Sequence, residues 1–143
     1  MSAPDEEIRR KVSQWLAYGD EDLLLARHGL TLAKNRPFRL IAYHAQQRAE
    51  KYLKGYLVFH RVDFPYAHDL SRLVELCSDQ GLQDEALQDA EELTPFAIST
   101  RYPGEDEEVS EEEALRAIDI AARVREVVKE SLMRKYVEPP QAP

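Results

Sequence analysis

A single cysteine, Cys77, serves the whole of this 143-residue chain. No internal disulfide can form and no cysteine-based zinc cluster can be built, so a reducing compartment is the expected home. Within Leu73-Val74-Glu75-Leu76-Cys77 the thiol reads as a small buried apolar group. Long apolar runs are also missing. No stretch approaches the ~20 residues that a membrane span requires. The N-terminus, MSAPDEEIRRKVSQW, is charged where a secretory leader would be apolar. Neither export nor insertion is expected, and the localisation predicted is cytoplasmic. Glycine-rich phosphate loops, Ser/His/Asp arrangements and metal-ligand clusters are absent, so the residues point to no cofactor, no metal and no established catalytic constellation. Strict alternation of apolar and polar residues does not occur and β-branched residues are sparse, which argues against a sheet.

What is present is charge and helical periodicity. Charged residues make up 32% of the chain and apolar ones 43%, the balance of a globular domain rather than a disordered segment. The net charge of −8 disfavours nonspecific nucleic-acid binding, and DNA is not expected as a partner. The charge is uneven. Between Arg36 and Arg61 six basic residues (Arg36, Arg39, Arg48, Lys51, Lys54, Arg61) face only Glu50, whereas between Asp84 and Glu113 twelve acids face only Arg101. A basic helix could meet an anion, or the basic and acidic elements could pair within the fold or across a dimer.

Apolar spacing at ~100° per residue predicts a first helix from about Glu6 to Lys34. Its face centres on Trp15 and carries Tyr18, Leu25, Ala26, Leu30 and Ala33, with Gly19 and Gly29 permitting a close neighbour. Those glycines, with an alanine-rich second helix, motivate a dimer built on the first two helices. Asp22 falls inside the same stripe, and a buried carboxylate must be paired, so a basic partner from Arg48 or Lys51 is expected. The second helix, about Pro37 to His60, places Phe38, Ile41, Ala42, Ala45, Ala49, Tyr52, Leu53, Tyr56 and Phe59 in one stripe. A short third helix runs to Asp79 and closes at Gln80-Gly81. A fourth, about Gln83 to Thr100, is interrupted near Thr94-Pro95. Ser110 is a suitable N-cap for a last helix that ends near Tyr136, with Ala114, Ala117, Ile118, Ala121, Val124, Val128 and Leu132 inward. The fold class predicted is all-α: a five-helix, mostly antiparallel up-and-down bundle in one domain, 1–143, with its core at about 8–135 and a frayed tail from 137.

The candidate site residues lie on the second helix. His44, Arg48 and Lys51 fall within ~60° of one another and could grip a phosphate or a partner's carboxylates. Alternatively they are solvated or pair with acids of the fold. His68-Asp69 lacks the further ligands of a metal site, and Asp69 reads as a supporting residue in a helix first turn.

An ordered set of words runs through the chain: Trp15 with Asp20 to Leu23, then His44-Ala45-Gln46-Gln47-Arg48-Ala49-Glu50-Lys51-Tyr52-Leu53-Lys54-Gly55, then Pro65-Tyr66-Ala67-His68-Asp69-Leu70, then Arg101-Tyr102-Pro103. This order resembles the HEPN domain (higher eukaryotes and prokaryotes nucleotide-binding) over about residues 8 to 135. The resemblance implies a helical bundle, usually a homodimer, that partners a minimal nucleotidyltransferase in a toxin–antitoxin-like pair, with a nucleotide or RNA as ligand. Some HEPN proteins are metal-independent ribonucleases carrying Arg, four to six residues, then His late in the domain. Here the chain departs from that pattern, because its four histidines end at His68. Arg39 with His44 matches the spacing by chance expectation, and the two point ~140° apart on a helix. Binding protein is therefore the favoured reading and ribonuclease the alternative.

Overall fold

A computed structural model describes residues 3–64, 70–97 and 108–137. Its elements are α1 (Ala3–Leu30), α2 (Phe38–Phe59), α3 (Leu70–Asp79), α4 (Glu85–Asp89), a 3-10 helix (Ala90–Phe96) and α5 (Glu111–Val137). The all-α bundle is as the periodicity predicts, and the described residues contain no strand. The first helix stops earlier than its apolar spacing suggests. Thr31 turns its hydroxyl onto the His28 carbonyl at 2.7 Å, and Asn35 adopts a positive φ of 56° before Pro37 leads into α2. Beyond Asp89 the expected fourth helix tightens to 3-10 geometry around Pro95. Ser110 and Glu113 form a reciprocal capping box at the start of α5, the Ser110 hydroxyl accepting from the Glu113 amide and the Glu113 carboxylate from the Ser110 amide, both at 3.1 Å.

The middle of the bundle is α2, which packs against α1 on one side and α5 on another, and also meets α3 and the 3-10 helix. Its predicted stripe is inside: Ile41, Ala42, Ala45, Ala49, Tyr52, Leu53 and Tyr56 are buried. So are Gln46, Arg48, Glu50 and Leu57, which the stripe omits, because a helix with neighbours on several sides buries more than one face. The prediction for α1 needs a correction. Val12 and Ala26 are buried, but Tyr18 and Leu25 remain 48% and 57% exposed. The strip that meets α2 is rotated toward Val12 and Gly19 and covers only part of the apolar face. The glycines are also spent within the chain. A Cβ on Gly19 would stand 3.0 Å from the Tyr52 ring, and one on Gly29 would stand 3.0 Å from Ile41. They set the α1–α2 approach and supply no argument for a dimer.

Among the described residues, two acids of the acidic segment pair with α5. Arg116 holds Glu92 at 2.7 Å and Arg123 holds Asp89 at 2.9 Å, while the basic stretch reaches the acidic one through Arg36 and Glu111 at 3.3 Å. Among the described residues no helix is long and apolar enough to cross a membrane.

Candidate functional site

Two polar clusters lie where α1 meets α2. In the first, Asp22 is buried to 7% exposure and receives two donors from α2. His44 Nδ1 lies 2.8 Å from its Oδ1, and Lys51 Nζ donates to its Oδ2 at 2.6 Å. An ionised carboxylate accepts only, so His44 meets it with a proton on Nδ1. Lys51 is the basic partner that Asp22 requires. His44 and Lys51 can serve one carboxylate because they are seven residues apart on α2, two turns along one flank.

The other expected donor, Arg48, goes elsewhere. It lies closer to the core, 2% exposed, and its Nε donates to the Tyr52 hydroxyl at 3.1 Å. Tyr52 in turn donates to Asp20 Oδ1, which also accepts from Arg125 Nε of α5 at 3.0 Å. Three helices are thus tied through one carboxylate. The charges respond to this setting. Burial alone would raise the Asp20 carboxyl, but the hydrogen bonds from Arg125 and Tyr52 bring it below its ordinary value. Burial, then the bond to Asp20, pushes the Tyr52 phenol up. Burial lowers the Arg48 guanidinium. Arg48 Nη1 is buried with no hydrogen-bond partner among the described residues. Asp20 and Arg125 were not found by sequence reasoning. Asp20 lies among the words that carry the resemblance, but nothing in the sequence links it to a residue 105 positions away.

A third cluster closes the far end of α2. Lys135 Nζ donates to His60 Nε2 at 2.7 Å and to the Tyr56 hydroxyl at 3.2 Å, while Tyr56 donates to the Gln80 carbonyl at 3.1 Å. Burial first, and then the Lys135 charge, lowers the His60 imidazole. Arg39 is exposed at the start of α2 and takes no part in any of these clusters. Asp69, His68 and the Arg101-Tyr102-Pro103 word lie outside the described residues. Among the described residues no three His, Cys, Asp or Glu side chains converge as metal ligands.

No curated protein matches the chain. A solved structure, that of TT1696 from Thermus thermophilus, is similar at 25% identity with a TM-score of 0.67, covering 84% of this chain and 97% of that one. The family model of the HEPN domain matches residues 12–131, a span that takes in all three clusters except Lys135. The chain belongs to the HEPN domain family.

Proposed function

We propose that this HEPN protein works by binding: as a homodimer that partners a minimal nucleotidyltransferase in a toxin–antitoxin-like pair, using the outer flank of α1 and α2. The partner class is the one that the resemblance implies. The observation that carries the reading is the exposed apolar flank beside the Asp22 cluster. Tyr18 and Leu25, 48% and 57% exposed, sit two turns apart on α1, displaced ~40° and ~60° from Asp22 to the same side. Leu40, 38% exposed, precedes His44 by one turn of α2. Clustered exposed apolar side chains mark interaction surfaces, and the charged centre beside them gives a partner something specific to read. A carboxylate or phosphate brought by that partner, or by a nucleotide, would compete with Asp22 for His44 and Lys51. Arg48 supports the flank from beneath through Tyr52.

Light scattering at micromolar concentration is expected to give a dimer mass, and Tyr18→Asp with Leu25→Asp is expected to give a folded monomer with the parent's helical circular dichroism. A monomer mass for the parent protein would refute the dimer. Calorimetry against a purified minimal nucleotidyltransferase should show an affinity that falls as salt rises and weakens in Lys51→Ala.

The Asp22–His44 pair supports a second reading as a metal-independent ribonuclease. A carboxylate that fixes Nδ1–H leaves Nε2 poised as a general base. Arg39 points away from His44 on the same helix, so their convergence would need a second copy. RNA cleavage lost in both Arg39→Ala and His44→Ala would move the assignment to this reading; an inactive parent protein would remove it.

A further inference from the structure

The two long helices that flank α2 do not close on each other. Both α1 and α5 pack against α2 and scarcely against one another. Their register is set where Arg125 Nε of α5 donates to Asp20 of α1 at 3.0 Å. From that bond, toward Arg9 on α1 and toward Met133 on α5, a groove of about 290 Å³ opens between them. Its α1 wall is Arg9, Val12, Ser13 and Leu16, a single helical stripe, and its α5 wall is Lys129, Leu132 and Met133.

Aliphatic side chains form most of this surface. Val12 and Leu132 are buried, Leu16 is half-buried, and Met133 is 61% exposed at the rim. Among the described residues no aromatic ring and no acid line the groove. Its polar groups are the Ser13 hydroxyl and two cations. Arg9 already has a partner, whereas Lys129 makes neither hydrogen bond nor ion pair among the described residues. The acid whose field meets Lys129 is Asp20, a carboxylate to which Tyr52 and Arg125 already donate. Glu126, one turn before Lys129, is held by Arg125 at 3.1 Å. Glu21 and Glu130 are exposed and turned ~100° around their helices from Asp20 and Lys129. At this end of the groove Arg48, Arg125 and Lys129 thus stand against Asp20 and Glu126, and the cation left over is Lys129.

We infer that this groove binds a free aliphatic carboxylate of about eight to ten carbons, its chain laid between α1 and α5 and its head on the Lys129 ammonium. From Leu16 back to Arg9 the helix rises ~10 Å, the reach of such a chain. Aliphatic walls without a ring favour an alkyl chain over a planar ligand, and the surplus cation favours an anionic head over a neutral or basic one. Met133, unbranched and flexible, can fold over the chain at the rim. The groove lies on the flank of α1 opposite Tyr18 and Leu25, ~180° away in helical projection, and shares no residue with the Asp22 cluster. It therefore stands or falls apart from the partner reading.

Only Met1 shares the residue type of Met133, so isotope labelling of the methionine methyls gives the groove its own nuclear magnetic resonance signal, assigned with Met133→Leu. Decanoate, kept below its micelle concentration, is expected to shift that signal saturably. Octanoate should bind about tenfold more weakly, for two fewer buried methylenes. Decanol and decylamine should each bind at least about tenfold more weakly than decanoate, for want of the anion. Lys129→Gln should weaken decanoate roughly 10- to 100-fold, the range of a lost charge-assisted hydrogen bond, and leave decanol unchanged. Ser13→Phe, which fills the groove from an exposed position, should abolish binding of both while keeping the parent's helical circular dichroism. A Met133 signal that decanoate does not move, decanol or decylamine binding as tightly as decanoate, or an affinity unaltered in either variant would each overturn the site. So would a Met133 signal that moves on dilution of the protein alone, in step with loss of dimer mass, because a second copy would then be the occupant.

Discussion

Asp22 is buried, yet its two partners keep about a quarter of their side-chain surface in water, 26% for His44 and 27% for Lys51. That asymmetry sets the cost of losing it. Removing one member of an enclosed ion pair costs ~3–5 kcal/mol, but here both donors can turn to solvent when the carboxylate goes. Asp22→Ala is therefore expected to destabilise by about 1 to 2 kcal/mol, read as a lower denaturant midpoint with an unchanged slope. An unchanged midpoint would show that the pair contributes nothing. The partnership with Lys51 was legible in the sequence because a carboxylate in an apolar stripe demands a cation. The fate of Arg48 was not, because a helical projection gives direction but not how deeply the helix is sunk among its neighbours. Cys77 was legible too. It is fully buried, its thiol donates to the Leu53 carbonyl at 3.6 Å, and burial pushes its pKa from 9.0 to about 12. The folded state thus keeps a proton that the unfolded chain releases, so this contribution is complete below pH 9.0 and lost as pH rises toward about 12. Tyr52, shifted in the same direction, acts in the same sense. The melting temperature should fall above pH 9, less steeply in Cys77→Ala than in the parent; identical slopes would exclude the thiol.

Among the elements, the α1–α2 pair depends on what its glycines leave out. Gly19→Ala gains about 1 kcal/mol in helix propensity but sets a methyl 3.0 Å from the Tyr52 ring. That ring cannot yield, because its hydroxyl is held by Asp20 and Arg48 and its body is buried. A net loss of about 1 to 2 kcal/mol is expected in thermal or chemical unfolding, within the range for an overpacked contact. A gain would show that the helices can separate at no cost. The helices themselves were readable from apolar spacing, proline, and the Ser110 cap, each a local signal. The end of α1 was not, since Ala33 and Lys34 suit a helix and only the tertiary path through Asn35 turns the chain away. The purpose of Gly19 and Gly29 was misjudged for a similar reason: a small residue announces a close neighbour without saying which one.

For the molecule as a whole, composition and periodicity sufficed for the all-α class, and the ordered words sufficed for the family. They could not show that half of the α1 stripe is left uncovered, because Tyr18 and Leu25 look as apolar as Val12 and Ala26. Function is harder still to read, since the residues that converge at Asp20 and Tyr52 come from three helices separated widely in the chain. The central place of α2 has one more consequence. Because α1, α3, the 3-10 helix and α5 all use α2 as a common wall, its departure would strip packing from each of them at once. The bundle is therefore expected to unfold as one unit. Its α2 amides are left to exchange with solvent only through global opening, so their protection measures the stability of the entire fold rather than that of one helix.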